Sequence, residues 1–427
     1  MRPLLYLDTA RLGQTLPAAR DAQIDFVRLT AEEPSTLYFE EFLQHGYNAW
    51  PNHYQSHFPA LKTWAGVRTL KQSLGQLAGG PDHWNVLLAS RSLSLVQLAA
   101  RSMFQTCRHV LTTDLSWPTY QDAVSRQALA AGAQITTAPL RDAIFRERWT
   151  VADVASFLAR LCAENGCDGL FLPAVDHLGV RIPVRAIVEQ IRNTSHLQFV
   201  LVDAAQAFCQ VPIDDSLSVA DFVVTGCHKW MRAGQPMGVG FFGRNGTRQF
   251  IRETLQECCW NGCDLDPLLI FTEQLDGGQI NGHSETVNLA PLFSASAAAA
   301  EQLEHRSQCS ANAYGSSLFD DPARFRTLDL PPELSHWIPI HPHETMRSRI
   351  TLFANQEAVR TANSAEEARR EWLNHGCVVT AYDNGWVRVS PPPELKSPSI
   401  AAVKSTGGKH FVEAAFSAQA LSERRSM

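Results

Sequence analysis

The sequence has no long apolar stretch and little cysteine. None of its 427 residues falls in an uncharged apolar run of about 18 residues, so no membrane-spanning helix is expected. The opening MRPLLYLDTARLG contains no apolar h-region and reaches Asp8 and Arg11 early, so it does not resemble a secretory signal. Ten cysteines are too few for a disulfide scaffold. These absences predict a reduced, cytoplasmic protein.

Basic clusters and metal-ligand spacings are also missing. The net charge of -6, a pI near 6.2 and the lack of any Lys/Arg run argue against a nucleic-acid partner. Cys258, Cys259 and Cys263 stand close together, but no matching CxxC or HxxxH pair lies nearby to complete a zinc site. We therefore expect free thiols and no metal. No GxGxxG motif follows the first strand, which weakens the case for a nicotinamide-dependent enzyme.

Short apolar runs alternate with helical patterns between residues 85 and 245. The strand-like runs are NVLLA (85–89), HVLTT (109–113), GLFLPAV (169–175), FVLVD (199–203), DFVVTG (221–226) and VGFFG (239–243). Their near-continuous hydrophobicity is typical of strands covered on both faces, as in a mostly parallel sheet. Helical patterns at 94–104 and 150–164 lie between them. This alternation predicts an α/β layered domain.

The C-terminal part predicts a second, smaller unit. Residues 291–303 form an Ala-rich helical pattern that leaves the first domain. The segments ELSHWIPIHP, RSRITLFA, GCVVTAYD and WVRVSPPP then predict the strands of an α+β domain, and the prolines at 391–393 end the last strand after Val389. We assign residues 46–295 to the large domain, and residues 1–45 and 296–427 to the small domain.

Residues 200–243 bring an acid and a lysine to neighbouring strand ends. One apolar strand ends in Asp203, and the next strand ends just before His228 and Lys229. Because the carboxyl ends of parallel strands meet at the ligand-binding edge of a sheet, both side chains are expected in one crevice. Pyridoxal 5′-phosphate (PLP) needs a lysine for its Schiff base and an anion beside its pyridine nitrogen. The pattern therefore predicts a PLP site.

The spacing resembles a known family. Asp203-Ala-Ala-Gln206, followed by Thr225-Gly-Cys-His228-Lys229-Trp230, resembles the class V aminotransferase family of fold-type I PLP enzymes. The similarity is strongest to its isopenicillin-N-epimerase-like and cysteine-desulfurase-like branch. The resemblance implies a large domain with a mostly parallel seven-stranded sheet and a smaller α+β domain. It also implies that Lys229 forms the aldimine, Asp203 pairs with the pyridinium, Gln206 bonds the phenolic oxygen, and His228 and Thr225 lie near the phosphate.

Weaker similarities imply further cofactor contacts. LLASRSLSLVQLAA (87–100) occupies the place of the phosphate-binding turn, where a helix opening near Ser92 would offer free N–H groups. Leu93 and Ser94 stand there in place of the usual Thr-Glu pair. Trp117 takes the place of the aromatic residue that stacks on the cofactor ring. Asp176, in LPAVDHLGVRIPV, falls where a small polar residue faces the cofactor.

Two further residues would complete the site. Thr286, with Glu285 before it in place of Gly, resembles the turn that reaches the phosphate from a partner subunit, which implies a homodimer with a shared active site. Arg388 lies between Val387 and Val389, which strand alternation places on the opposite face. Its segment DNGWVRVSPPP (383–393) resembles the family's strand that carries the substrate-carboxylate arginine, which implies that the Arg388 guanidinium pairs with the substrate carboxylate.

The reaction type stays open at this level. Lys229, once free, is the natural general base. Cys377 stands at the head of an apolar strand pattern, which disfavours a cysteine desulfurase because that enzyme needs an exposed cysteine. We expect lyase or epimerase-type chemistry on a small or modified amino acid, by analogy with the branch named above. The alternatives are an aminotransferase and a catalytically inactive PLP-fold binding protein.

Overall fold

The computed structural model describes residues 4–33, 40–80, 84–243, 247–260, 265–278, 286–312, 330, 332–355 and 364–393. All structural statements below concern these residues. The predicted Cys258–Cys263 cluster has no described side chains, and Glu285 lies outside the described residues.

The described residues form thirteen strands. In chain order they are β1 (Leu5–Tyr6), β2 (Asn85–Ala89), β3 (His109–Thr113), β4 (Gln134–Ala138), β5 (Gly169–Pro173), β6 (Phe199–Asp203), β7 (Phe222–Gly226), β8 (Gly238–Phe242), β9 (Trp337–Ile340), β10 (Thr351–Asn355), β11 (Cys377–Val378), β12 (Thr380–Ala381) and β13 (Trp386–Val389). Every strand expected from the apolar runs is present, within two residues at each end. Strand β4 was not predicted, because its residues are mostly half-buried or exposed at the sheet edge and carry no apolar run.

Seven of these strands form the central sheet, in the order β2-β8-β7-β6-β5-β3-β4. Strand β8 runs antiparallel to both of its neighbours, and the other neighbouring pairs are parallel. The predicted mostly parallel seven-stranded sheet is confirmed. Strands β6 and β7 lie side by side at its middle, so their carboxyl ends share one edge of the sheet.

Fourteen helices surround the sheets. They are α1 (Pro17–Glu32), α2 (Glu40–His45), α3 (Asn52–His57), α4 (Val67–Ala78), α5 (Ser92–Thr106), α6 (Pro118–Ala131), α7 (Arg141–Phe145), α8 (Val151–Asn165), α9 (Val184–Arg192), α10 (Asp214–Val219), α11 (Thr247–Trp260), α12 (Pro267–Asp276), α13 (Ala290–Asn312) and α14 (Ala365–Asn374). The ends of helix α8 are set by capping residues. A reciprocal capping box between Thr150 and Asp153 opens it, and Gly166 closes it with a left-handed φ of 63°.

The core lies on both faces of the central sheet. Along β6, Val200 and Val202 belong to one buried cluster, and Phe199 and Leu201 belong to the other. This alternation follows from the two-residue period of a strand. Because helices cover both faces, neither face of β6 needs polar residues, which explains its uninterrupted apolar sequence.

A smaller unit packs beside the sheet edge. Its four antiparallel strands have the order β12-β13-β10-β9, and β1 pairs with β11 in a separate parallel pair. Trp337, Phe353 and Trp372 fill its core. The buried residues of α1 belong instead to the main core, so the residues before 45 contact both units. The domain boundaries at 45 and 295 stay a prediction. Within the described residues, each helix is too short or too polar to cross a bilayer.

Candidate active site

Asp203 and Lys229 lie at neighbouring strand ends. Asp203 is the last residue of β6 and is buried, and Lys229 follows the end of β7 by three residues. In the register of the two strands, Asp203 stands opposite Val224. One Asp203 carboxylate oxygen accepts the Ala205 N–H at 2.8 Å, and among the described residues this carboxylate receives no other hydrogen bond. The pair expected from the sequence is thus brought to one edge of the sheet.

Burial shifts the titration of both groups toward their neutral forms. It raises the pKa of the Asp203 carboxyl to about 6, against the Ala205 N–H and the Lys229 charge. It lowers the pKa of the Lys229 amine to about 8, which the Asp203 charge opposes and the Arg388 charge reinforces. About a tenth of Lys229 is therefore an uncharged, nucleophilic amine at pH 7, far more than for an ordinary lysine.

The first turn of α5 offers unused backbone donors. The Ser92 and Leu93 N–H groups precede the first intrahelical bond, and no acceptor reaches them among the described residues. The Ser92 hydroxyl bonds the Tyr120 hydroxyl at 2.5 Å, and the Leu93 side chain packs partly buried against the core. Gly238, at the start of β8, lies so close that a Cβ there would be 2.5 Å from the Ser92 nitrogen. The turn is shaped to receive an anion.

Asp266 accepts hydrogen bonds from the hydroxyl groups beside this turn. Its carboxylate accepts from the Ser90 N–H at 2.9 Å, from the Ser90 hydroxyl at 3.0 Å and from the Ser94 hydroxyl at 2.9 Å. It also caps α12. Ser94 therefore supports the turn through Asp266. This contact joins residues 172 positions apart, so no local pattern in the sequence predicts it.

The predicted phosphate contacts of His228 and Thr225 stay predictions, and the two side chains differ in their hydrogen bonds. The His228 ring stands 3.4 Å from the ideal Cβ position of Gly226, which pairs with Gly238 across β7 and β8. Its Nδ1 is buried without a hydrogen bond, and burial followed by the Lys229 charge lowers its pKa to about 4. The Thr225 hydroxyl is fully buried and donates to the Ala204 carbonyl at 3.2 Å. Its one proton is therefore committed to the backbone.

The Gln206 side chain links the N-terminal segment at Ala10 to Trp230, which follows Lys229. Its side-chain amide donates to the Ala10 carbonyl at 2.8 Å and accepts the Trp230 indole N–H at 2.9 Å. One amide N–H remains for another acceptor. The predicted contact with the cofactor's phenolic oxygen stays a prediction.

The segment from Asp8 to Leu16 closes over the Lys229 loop. The Gly13 N–H donates to the His228 carbonyl at 2.8 Å, and the Leu16 N–H donates to the Arg232 carbonyl at 3.0 Å. A Cβ on Gly13 would lie 1.9 Å from the Lys229 carbonyl oxygen, so only glycine fits there. Sequence reasoning missed this segment because its partners lie more than 200 residues away.

Trp117 and His177 form the opposite wall. The Trp117 side chain precedes α6, is 44% exposed, and meets the His177 ring edge-on at 5.3 Å between centroids. The His177 ring also lies 6.0 Å from the Tyr382 ring. The stacking of this indole on the cofactor ring stays a prediction. The sequence analysis did not assign His177 a role.

Asp176 precedes His177 and shapes its loop. One carboxylate oxygen accepts the Leu178 and Val180 N–H groups at 3.1 and 2.6 Å, and the other is buried with no donor. Burial raises the pKa of this carboxyl to about 7. The residue predicted to face the cofactor thus also fixes the turn after β5.

Arg388 is buried on β13 and already has a counter-ion. Its Nη2 lies 3.1 Å from an Asp8 carboxylate oxygen and donates to the Thr380 hydroxyl at 3.2 Å. Its Nη1 donates to the His177 carbonyl at 3.3 Å. Asp8 was not expected from the sequence. We call the space bounded by Lys229, Asp203, Trp117, His177 and Arg388 the Lys229 cleft.

Thr286 and the cysteines differ in their exposure. Thr286 is exposed, and no hydrogen bond within the described residues ties it to the cleft. Cys377 is fully buried, and burial raises its thiol pKa to about 11. All six cysteines with described side chains are buried: Cys107, Cys162, Cys167, Cys209, Cys227 and Cys377. No group of residues suited to a metal ion occurs in the described part of the chain.

The fold and this arrangement define a fold-type I PLP enzyme. The family model for class-V aminotransferases matches residues 38–255, about half of the chain. The chain belongs to the class-V aminotransferase family, and its cofactor is PLP. The fit is visible in the cleft itself, where an amine, a buried carboxylate, unused N–H groups and an exposed indole face lie together.

Comparisons with individual proteins support the same placement. The "Putative L-cysteine desulfhydrase 1" of Oryza sativa subsp. japonica is 25% identical over 223 residues, which are 49% of this chain and 41% of that protein. The match thus spans less than half of the relative's length.

Solved structures share the fold. The cysteine desulfurase CsdA of Escherichia coli has a TM-score of 0.61 at 15% identity, covering 98% of this chain and 95% of its own. The ureidoglycine-glyoxylate aminotransferase of Bacillus subtilis has a TM-score of 0.61 at 11% identity, covering 98% of both chains. A C-DES variant with glycine covalently linked to its PLP cofactor has a TM-score of 0.56 at 13% identity, covering 93% of both chains. At these identities the likeness shows the fold alone.

Proposed function

We propose that this PLP enzyme binds its cofactor through Lys229 and catalyses α,β-elimination on a small amino acid. The observation that carries the proposal is the buried Lys229 amine, whose pKa is lowered to about 8 beside the Asp203 carboxylate. Such an amine can act both as a nucleophile and as a base near neutral pH.

Four parts of the cleft are proposed to hold the cofactor. Asp203 pairs with the ring nitrogen, and Trp117 covers the ring face with its exposed indole. The free N–H groups at Ser92 and Leu93, together with His228, bind the phosphate. Thr225 is left out of this set because its hydroxyl proton already serves the Ala204 carbonyl.

Lys229 is proposed to move the proton in the reaction. Bound PLP supplies an electron sink for the substrate Cα. Lys229 takes the Cα proton, the Cα electron pair forms a double bond to Cβ, and the bond from Cβ to the leaving group breaks with its pair. For L-cysteine the sulfur departs as hydrosulfide. The unsaturated amine product then takes up water and gives pyruvate and ammonia.

Elimination is favoured over sulfur transfer to a cysteine. A desulfurase needs an exposed thiol near the substrate, and every cysteine with a described side chain is buried. The relative from rice carries a desulfhydrase name, and a desulfhydrase releases sulfide without a thiol acceptor. Epimerisation begins with the same proton removal, and transamination differs in where that proton returns.

A homodimer is part of the proposal. The resemblance of Thr286 to a turn that reaches a partner's phosphate, together with the exposure of Thr286 in this chain, supports this assignment. A mass of twice 47.3 kDa by light scattering would support it, and a monomer with full activity would contradict it.

The test is a product assay with the PLP-loaded protein. L-cysteine, L-serine and L-alanine are each supplied with and without a 2-keto acid acceptor. Without an acceptor we expect keto acid and ammonia in equal amounts from L-cysteine and L-serine, with sulfide from L-cysteine, and no product from L-alanine, which has no leaving group on Cβ. Amino-acid formation only with the acceptor would instead identify an aminotransferase. Bound PLP with no product from any substrate would favour the inactive binding protein.

A further inference from the structure

The guanidinium expected to bind substrate is already occupied. The Nη2 atom of Arg388 donates its two hydrogens to Asp8 and Thr380, and its Nη1 atom donates one hydrogen to the His177 carbonyl. The Asp8–Arg388 ion pair is almost completely buried, with side-chain exposures of 5% and 6%. A carboxylate is recognised best by two parallel N–H groups on one edge of a guanidinium. No such edge of Arg388 is free in this arrangement.

A second arginine near the cleft has no such counter-ion. Arg141 opens α7 directly after β4, and its Nη2 donates to the Asp114 carbonyl at 2.8 Å. Its Nε is buried without a hydrogen bond. Among the described residues its guanidinium forms no ion pair. This half-buried cation is therefore held in place from one side only.

The acids around Arg141 leave its charge largely uncompensated. The Asp114 carboxylate is held by the backbone N–H groups of Leu140 and Arg141, at 2.8 and 3.1 Å. Asp176 lies within the electrostatic reach of Arg141, but burial raises the pKa of its carboxyl to about 7, so it carries only part of a charge at neutral pH. Neither acid forms an ion pair with the guanidinium.

Contacts connect Arg141 to the Lys229 cleft. Asp114 begins the loop that carries Trp117, and the Trp117 ring meets His177 at 5.3 Å. Burial lowers the pKa of His177 to about 4, and the positive charges that add to this belong, in decreasing order, to Arg388, Arg141 and Lys229. Arg388 and Arg141 therefore both lie near His177, on the side of the cleft that faces the small unit.

We propose that Arg141 is a specificity-determining residue that pairs with a carboxylate of the substrate. The inference rests on the proposed function, because it takes the Lys229 cleft as an amino-acid site. A planar guanidinium that the described residues hold through one hydrogen bond and no ion pair matches a carboxylate in charge and geometry. The bound carboxylate is either the α-carboxylate or a second one on the side chain, and the two are distinguished by matched ligands.

The experiment measures binding by calorimetry to the PLP-loaded enzyme. Glycine is compared with glycinamide, and L-aspartate with L-asparagine, so that each pair differs in one carboxylate. The variants are Arg141→Gln and Arg141→Lys. The control is Arg146→Gln, one turn further along the chain, whose side chain is 77% exposed and paired with Asp142. Near-ultraviolet circular dichroism and PLP content verify the fold of each variant.

We expect Arg141→Gln to weaken the binding of glycine or of L-aspartate at least tenfold. The binding of the matching amide should weaken less than twofold. Loss with glycine assigns Arg141 to the α-carboxylate, and loss with L-aspartate alone assigns it to the side chain. Arg141→Lys should recover part of the loss, and Arg146→Gln should match the parent. Equal affinities of parent and Arg141→Gln for all four ligands, or equal losses for the acid and the amide in both pairs, would overturn the inference.

The two proposals fail separately. Carboxylate binding that depends on Arg141 in a protein that releases no elimination product would support this inference and refute the proposed reaction. Normal elimination by Arg141→Gln, with unchanged carboxylate affinity, would refute the inference alone.

Discussion

Two acid–base pairs border the Lys229 cleft, and they differ in how completely the protein satisfies them. Asp8 and Arg388 form a closed ion pair at 3.1 Å, with Thr380 bonded to both. Asp203 and Lys229 affect each other's pKa but form no ion pair. We call Asp8–Arg388 the closed pair, because few of its hydrogen-bonding positions are left. We call Asp203–Lys229 the open pair, because its two members form no ion pair and leave room for a ring between them. From this difference we expect Asp8–Arg388 to stabilise the fold and Asp203–Lys229 to take part in the chemistry.

The largest expected effect comes from breaking the open pair. Lys229→Ala removes the nucleophile and the base, so turnover should fall at least about 1,000-fold and the visible absorption of bound PLP should disappear. The fold should persist because the lost amine was buried at a cost. Product formation, absorption and a melting curve check this. Lys62→Ala, an exposed lysine, is the control. Turnover that survives in Lys229→Ala would remove the basis of the proposed function.

Breaking the closed pair should act on stability instead. Asp8→Asn leaves Arg388 buried without a counter-ion, so the free energy of unfolding should fall by about 3–5 kcal/mol. Asp21→Asn, in an exposed ion pair with Arg20, should cost less than about 1 kcal/mol. Urea unfolding of the apoprotein measures both. Similar small losses in the two variants would show that the Asp8–Arg388 pair is not the structural one.

The pH dependence of PLP capture tests the pKa of Lys229 in the open pair. The pKa of Lys229 is about 8 in the folded apoprotein, so the rate at which it captures PLP should rise between pH 7 and 9 as the amine loses its proton. The Asp203 charge raises that pKa, so Asp203→Asn should move the midpoint to lower pH. Stopped-flow absorption from pH 6 to 9.5 records the profile. A midpoint near 10.5, the ordinary lysine value, would contradict the burial argument.

The smallest effect is expected at the cleft wall. Stacking contributes about 0.5–1.5 kcal/mol, so Trp117→Ala should weaken PLP binding roughly 2- to 12-fold. Trp117→Phe keeps an aromatic face and should stay within about twofold. Equilibrium dialysis against PLP gives the two dissociation constants. Equal losses in both variants would show that the aromatic face contributes little and that the indole acts mainly through its contact with His177.

The sequence predicted the parts of the molecule whose signal is local. Strand β6 could be placed because its apolar residues are consecutive, and Asp203 and Lys229 could be assigned because strand ends are visible along the chain. Strand β4 could not, because its half-exposed residues resemble a loop. Asp8 and Arg141 carry no local signal at all. The partner of Asp8 lies 380 residues away, and the importance of Arg141 depends on the absence of a counter-ion.

The segment from Asp8 to Leu16 has a consequence for biosynthesis. These residues are translated more than 200 residues before His228 and Arg232, and 380 residues separate Asp8 from Arg388, yet they dock on all three. The nascent chain therefore has to leave this segment partly unattached until Arg388 has been translated. We expect nascent chains halted between β8 and Arg388 to lack the Asp8–Arg388 ion pair, which makes the completion of this docking a late event in maturation.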